Sequence, residues 1–111
     1  MAAYTPTQLC PVTELTTSAA VLYTVPSATT TIIKQLLISN VSGIDARATV
    51  HLVPDGDSPT AENKAFGEIL VPANTTQLVD GSIVIPTGAT VQALSNVADA
   101  INIHVSGVEI A

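Results

Sequence analysis

Ile101-Asn-Ile-His-Val-Ser-Gly-Val-Glu-Ile110 is the stretch whose pattern decides the fold. Ile101, Ile103 and Val105 alternate with Asn102, His104 and Ser106. A period of two between branched apolar and small polar residues belongs to a strand with one face in a core and the other face wet. The preceding Pro86-Thr-Gly-Ala-Thr-Val-Gln-Ala-Leu-Ser95 supplies a second strand, and neither segment carries residues arranged for catalysis. Ile101, Ile103 and Val105 are therefore assigned to a core. Asn102, His104 and Ser106 form an uncharged face suited to a neighbouring protein.

Outward from this strand, the rest of the chain repeats the same grammar of short strands ended by turn residues. Ala20 to Val25 stops at Pro26-Ser27, and Thr29 to Ser39 stops at Asn40-Val-Ser-Gly43. Ala46 to Val53 sets Ala48, Val50 and Leu52 against Arg47, Thr49 and His51, then breaks at Pro54-Asp-Gly-Asp57. A polar loop leads to a strand near Lys64 to Val71. Pro72-Ala-Asn74 turns into Thr75 to Val79, and Asp80-Gly81 turns into Ser82 to Ile85. Thr87-Gly88 opens Ala89 to Leu94, and a turn through Asn96 to Asp99 feeds Ala100 to Val108. No window sustains the apolar spacing of a helix. The expected fold is all-β: a single-domain antiparallel β-sandwich of about eight strands, jelly-roll-like, over residues 20–111. Strand order does not follow from these local patterns.

Residues 1–19 are rich in threonine and interrupted by Pro6 and Pro11, and they show no core pattern. They read as an extended N-terminal arm held against the domain, a sister subunit or a larger assembly. The other reading is an edge strand of the same domain.

Composition narrows the function classes. The chain has 111 residues, of which 11% are charged, against about 25% in ordinary soluble domains. Tyr4, Tyr23 and Phe66 are its aromatic residues, so the core rests on Val, Ile, Leu and Ala. Such a charge-poor surface invites association, and burial among copies or against a partner is the plain solution. The net charge is −6, with Lys34, Arg47 and Lys64 as the cations. That balance speaks against nucleic acid, where clustered Lys or Arg must displace counterions, and against an anionic membrane surface. No apolar run approaches the roughly 20 residues that span a bilayer. The N-terminus lacks the basic start and apolar block of a signal peptide, so cytoplasmic synthesis is expected. Cys10 stands alone and is expected to be a shielded thiol outside any disulfide or cysteine metal site.

Constellations that carry chemistry are thin. His51 and His104 fall on the polar faces of their strands, and as neighbours they could share a metal. Two ligands without a third leave a zinc site incomplete, and surface or interface histidines are the simpler reading. Asp55-Gly-Asp57 with Glu62 nearby resembles a calcium loop only superficially, because it lacks the terminal bidentate Glu. Asp-Gly is first a turn signal. No Ser-His-Asp or Cys-His set, carboxylate pair or phosphate-cradling glycine loop can be assembled, so no catalytic residue, metal or cofactor is assigned. Thr-rich strands would tolerate a saccharide, yet the aromatic platforms usual for sugar stacking are scarce.

Several segments carry a resemblance: Tyr23-Thr-Val-Pro26, Thr31-Ile-Ile-Lys-Gln-Leu-Leu-Ile-Ser-Asn40, Ala48-Thr-Val-His-Leu-Val-Pro54, Val71-Pro-Ala-Asn-Thr-Thr76, and the end from Gly88-Ala-Thr-Val-Gln-Ala93 to Val105-Ser-Gly-Val-Glu-Ile110. From Tyr23 to Ile110 the chain resembles small β-sandwich virion structural proteins of tailed bacteriophages. Its Ala89 departs from the acidic turn residue usual after the late glycine. The resemblance implies a capsid decoration (cement) protein, made in the host bacterial cytoplasm and bound to the capsid surface as a homotrimer. Its partners would be its own copies and the major capsid protein. Tyr4, Leu9 and Val12 of the arm would touch a sister subunit or the shell, as would Asn102, His104 and Ser106. Two other roles stay open: a head or tail fibre or baseplate module binding host-surface carbohydrate, and a structural component of the head-tail junction.

Overall fold

Branched residues at alternate positions commit most of this chain to extended backbone, and turn residues set the breaks. A computed structural model describes residues 4–111. Its strands are β1 (Tyr4–Glu14), β2 (Ala20–Thr24), β3 (Thr30–Asn40), β4 (Ala46–Val53), β5 (Lys64–Val71), β6 (Thr76–Ile85), β7 (Thr90–Ser95) and β8 (Ile101–Ile110). A single 3-10 turn, Ala61–Asn63, precedes β5.

The strands form two four-stranded antiparallel sheets, in the orders β1-β8-β3-β6 and β2-β7-β4-β5. Only β4 and β5 are both consecutive and paired. Every other pair of strands consecutive in the chain is split between the two sheets, which is the connectivity of a double-sheet jelly roll. The all-β sandwich expectation is borne out, and its strand count of eight is reached differently. Asp80-Gly81 does not turn. Thr75 to Val79 and Ser82 to Ile85 merge into β6, because both halves pair with β3, Val79 with Leu36 and Ile83 with Ile33. Gly56 and Gly88 are the glycines with positive φ, and both stand in turns; Gly81 is not among them.

The segment read as an arm supplies the eighth strand. Tyr4–Glu14 pairs antiparallel with β8 from Tyr4 opposite Ile110 to Glu14 opposite Asn102. Of the two readings for residues 1–19, the structure has the edge strand; residues 1–3 lie outside the described residues. The segment also holds core that its composition hides: Leu9, Cys10 and Leu15 are buried. Its connector bridges both sheets, with the Leu15 amide donating to the Ile101 carbonyl at 2.8 Å and the Ser95 amide to the Thr16 carbonyl at 2.8 Å.

The core lies between the sheets. Leu36, Ile38, Ile101, Ile103 and Val105 come from one side, and Ala48, Val50, Val91 and Ala93 from the other. Aliphatic side chains fill the layer, and the part-buried Tyr23 and Phe66 pack against it. Every buried side-chain nitrogen or oxygen among the described residues has a hydrogen-bond partner. Asn40 shows how: its amide donates to the carbonyls of Ile44 (2.8 Å) and Val71 (2.9 Å), while its oxygen accepts from the Ser42 amide (2.9 Å) and hydroxyl (2.8 Å).

Candidate interaction surface

The pairing registers of the sheet β1-β8-β3-β6 lay its outer side chains in transverse rows, because residues directly opposite each other share a face. One row runs Pro6, Val108, Ile32, Val84, and the next Gln8, Ser106, Gln35, Asp80. A third holds His104, Leu37 and Leu78, and a fourth Glu14, Asn102, Ser39 and Thr76. Tyr4 stands in a row with Ile110 and Thr30 at one end. Pro11 and Val12 form the register break opposite His104. Five apolar side chains of this sheet protrude: Tyr4 (71% exposed), Val12 (65%), Val84 (64%), Leu78 (53%) and Leu37 (39%). Lys34, Asp80 and Glu14 are the acidic and basic side chains beside them.

The rows are interrupted by a line of bulges. Between the pairs Gly107–Ile33 and Val105–Leu36, β3 holds one residue more than β8, and at the same level β1 and β6 also slip. Gly107 makes this possible: a Cβ there would overlap the Ile32 carbonyl oxygen and come within 3.1 Å of Leu9 Cδ1. The bulges open a shallow groove of about 720 Å³, lined among others by Gln8, Lys34, Gln35, Asp80 and Ser106. Lys34 Nζ, on its lining, donates to Ser82 Oγ at 2.6 Å. Bulges of this kind strengthen twist and re-aim side chains.

The residues singled out in the sequence are thus gathered on one face, with one exception. Asn102, His104 and Ser106 are half-buried on the outward side of β8, the second strand of the sheet, and Tyr4 and Val12 flank them on β1. Leu9 is different, being 7% exposed and part of the core. It sits in the bulge between the pairs Gln8–Ser106 and Cys10–Val105, which turns two adjacent side chains inward. As a contact residue for another subunit, Leu9 is corrected to a core residue. Leu37, Leu78 and Val84 belong to the same face but were missed. Their signal was outward phase in strands β3 and β6, hidden because both strands are apolar on both sides.

The remaining constellations resolve into structure. His51 and His104 lie in different sheets, and His51 Nδ1 is 2.9 Å from Asn63 Oδ1. Among the described residues no group of three or more His, Cys, Asp or Glu could hold a metal ion. Pro54-Asp-Gly-Asp57 is a turn, closed by the Asp57 amide donating to the Pro54 carbonyl at 3.0 Å. The Cys10 thiol is buried and donates to the Pro11 carbonyl at 3.3 Å.

Two titrating contacts stand out. Tyr23 of β2 donates its hydroxyl to Glu109 Oε2 of β8 at 2.5 Å and lies 2.8 Å from the buried Thr31 hydroxyl of β3. Burial first, and the Glu109 carboxylate second, push the phenol up to about 12. This polar clasp ties one sheet to the other. On the far end of β1, the hydrogen bond and charge of Asp99 raise the Glu14 carboxyl above the ordinary carboxylate range, with a smaller contribution from burial.

A chain in the structure of infectious bursal disease virus, Gx strain, superposes at a TM-score of 0.56 with 13% identity, over 98% of this chain and 32% of that one. This chain therefore spans about a third of that neighbour's length. The coat protein of tobacco streak virus gives a TM-score of 0.47 with 14% identity, over 99% of this chain and 85% of the other. At such identities the likeness is one of fold. No protein-family model matches the sequence, and no curated protein does.

Proposed function

We propose that this chain is a non-enzymatic virion structural protein, a decoration protein that binds the outer shell and bridges neighbouring major capsid proteins. The observation that carries the reading is the outer face of the sheet β1-β8-β3-β6. It combines protruding Tyr4, Val12, Leu37, Leu78 and Val84 with half-buried Asn102, His104 and Ser106 and little charge. Depletion of charge around apolar anchors is the mark of a protein-binding patch, and the scarcity of cations leaves nucleic acid without a footing. The phage-like strand segments support a shell partner, and so does the fold likeness to a chain of a virus structure. Many copies on a lattice would hold firmly through individually modest contacts.

The test is binding to undecorated shells. Val12→Asp and Leu37→Asp each place a charge on the face without touching the core, and both are expected to lower shell occupancy while the circular dichroism stays that of the parent. Unchanged occupancy for both variants would overturn this face as the shell contact. Densitometry of purified virions decides the role: decoration requires a copy number comparable with that of the major capsid protein. A handful of copies per particle would favour a tail or junction role.

A further inference from the structure

The strands that end the two sheets are not finished alike. β1 carries Pro6 and Pro11 and two register breaks against β8. β2 is five residues long. β5 holds Lys64, a Glu68 with φ of 51°, and two register breaks against β4. Proline, shortness, charge and bulging are the devices that keep an edge from recruiting another strand. β6 has ten residues, no proline and no lysine; Asp80 is its one charge, one register break against β3 lies beside it, and Ile85 is its one buried residue. Its only sheet partner is β3.

We infer that β6 of a second copy of this chain pairs antiparallel with β6 about a twofold axis at Gly81, making one continuous sheet from two. Face alternation selects the register. Leu78, Asp80 and Val84 lie on the outer face, and Val79 and Ile83 face inward opposite Leu36 and Ile33. Centring on Gly81 sets Leu78 against Val84, Val79 against Ile83 and Asp80 against Ser82, so like faces meet throughout. Centring on Asp80 instead puts two carboxylates directly opposite and Leu78 against Ser82, which is unfavourable.

Charge complements the register. Ser82 Oγ already accepts from Lys34 Nζ at 2.6 Å, so Asp80 of the second copy arrives beside an ammonium group, and the twofold repeats the contact. Gly81 supplies an independent observation. A Cβ there would meet nothing within 4 Å, and its φ is not positive, so the isolated subunit has no need of glycine. A glycine in a strand also marks the close approach of another backbone, and the axis is where that approach occurs. Half-buried Val79 and Ile83, beside Phe66 at the open end between the sheets, would be covered by the incoming strand.

The experiment uses the whole chain and needs no shell, so its failure and a failure of shell binding are separate results. Leu78→Cys and Val84→Cys chains are oxidised alone and as a mixture. Opposed strand residues lie within disulfide range, and the native Cys10 is buried. The expected result is a disulfide dimer in the mixture and little in either variant alone. No dimer in the mixture, or equal cross-linking by each variant alone, overturns the register. Sedimentation over a concentration series complements it. The parent chain is expected to double in mass with rising concentration, and the folded Leu78→Lys/Val84→Lys variant to remain a monomer. A parent that stays monomeric throughout, or a lysine variant that still dimerises, overturns the pairing itself.

Discussion

Gly107→Ala tests the packing of the bulged sheet more sharply than any core truncation. The added carbon overlaps the Ile32 carbonyl oxygen, and Leu9 Cδ1 stands 3.1 Å away, so relief demands movement of backbone as well as side chain. β8 lies between β1 and β3, and a shift at Gly107 disturbs its pairing with Thr7 on one side and Ile33 on the other. Two weakened ladder bonds cost about 1 kcal/mol each, and overpacking adds roughly 1–3 kcal/mol. The expected loss is therefore ~3–5 kcal/mol. An unfolding entropy near 2.1 cal/mol/K per residue over 111 residues gives ~0.23 kcal/mol/K, so a loss of 3 kcal/mol lowers Tm by ~13 °C. Gly81→Ala is the matched control. With open space and no positive φ, it should leave the monomer unchanged or raise its stability by about 0.4–1 kcal/mol through the unfolded chain. Urea and thermal unfolding followed by circular dichroism measure both. A Gly107→Ala protein within about 0.5 kcal/mol of the parent would refute the close approach of β8 to β3.

Three further outcomes are expected. Tyr23 titrates near 12 in the fold against 10 for the free side chain, so the stability of the clasp is complete below pH 10 and lost as pH rises through 12. Two units correspond to ~2.7 kcal/mol, which partial exposure reduces to about 1 kcal/mol; alkaline unfolding curves should show this loss in the parent and not in Tyr23→Phe. Glu14, raised by Asp99, contributes stability below its unfolded pKa that disappears as pH climbs through its folded value. NMR titration of the Glu14 carboxyl should show its midpoint falling in Asp99→Asn. Asn40→Ala removes donors to Ile44 and Val71 and the acceptor for Ser42 from a buried site, and a loss of about 2–4 kcal/mol is expected by denaturant unfolding.

Period-two alternation was readable wherever a strand ran unbroken. β8 is the clearest case: Ile101, Ile103 and Val105 are fully buried, and the residues between them face outward. β1 was harder because its bulge places Leu9 and Cys10 side by side in the core, which erases alternation, while its prolines and threonines suggest a loop. Asp80-Gly81 has the chemistry of a turn, yet long pairing with β3 holds it extended, a case of tertiary context overriding local preference. The outer face shows the same division. Asn102, His104 and Ser106 could be assigned from their own strand. Their companions Leu37 and Leu78 could not, because Leu37 lies between His104 and Leu78 only in the register of three strands. Strand order has no local signature at all, since β1 and β8 come from opposite ends of the chain.

That last pairing also governs when the molecule can fold. β8 is the last of the eight described strands in chain order, yet it occupies the interior of its sheet and is the sole sheet neighbour of β1 among the described residues. Until it emerges, β1 has no partner and β3 has a vacant side. Pairing β1 with β8 brings Tyr4 opposite Ile110, so closure of a very long loop is unavoidable and folding should be slow for a domain of this size. Without β8, the edges of β1 and β3 that it pairs with lie open to other chains. A truncation removing β8 would take out the joint that holds this layer together, leaving β1 with nothing to pair with.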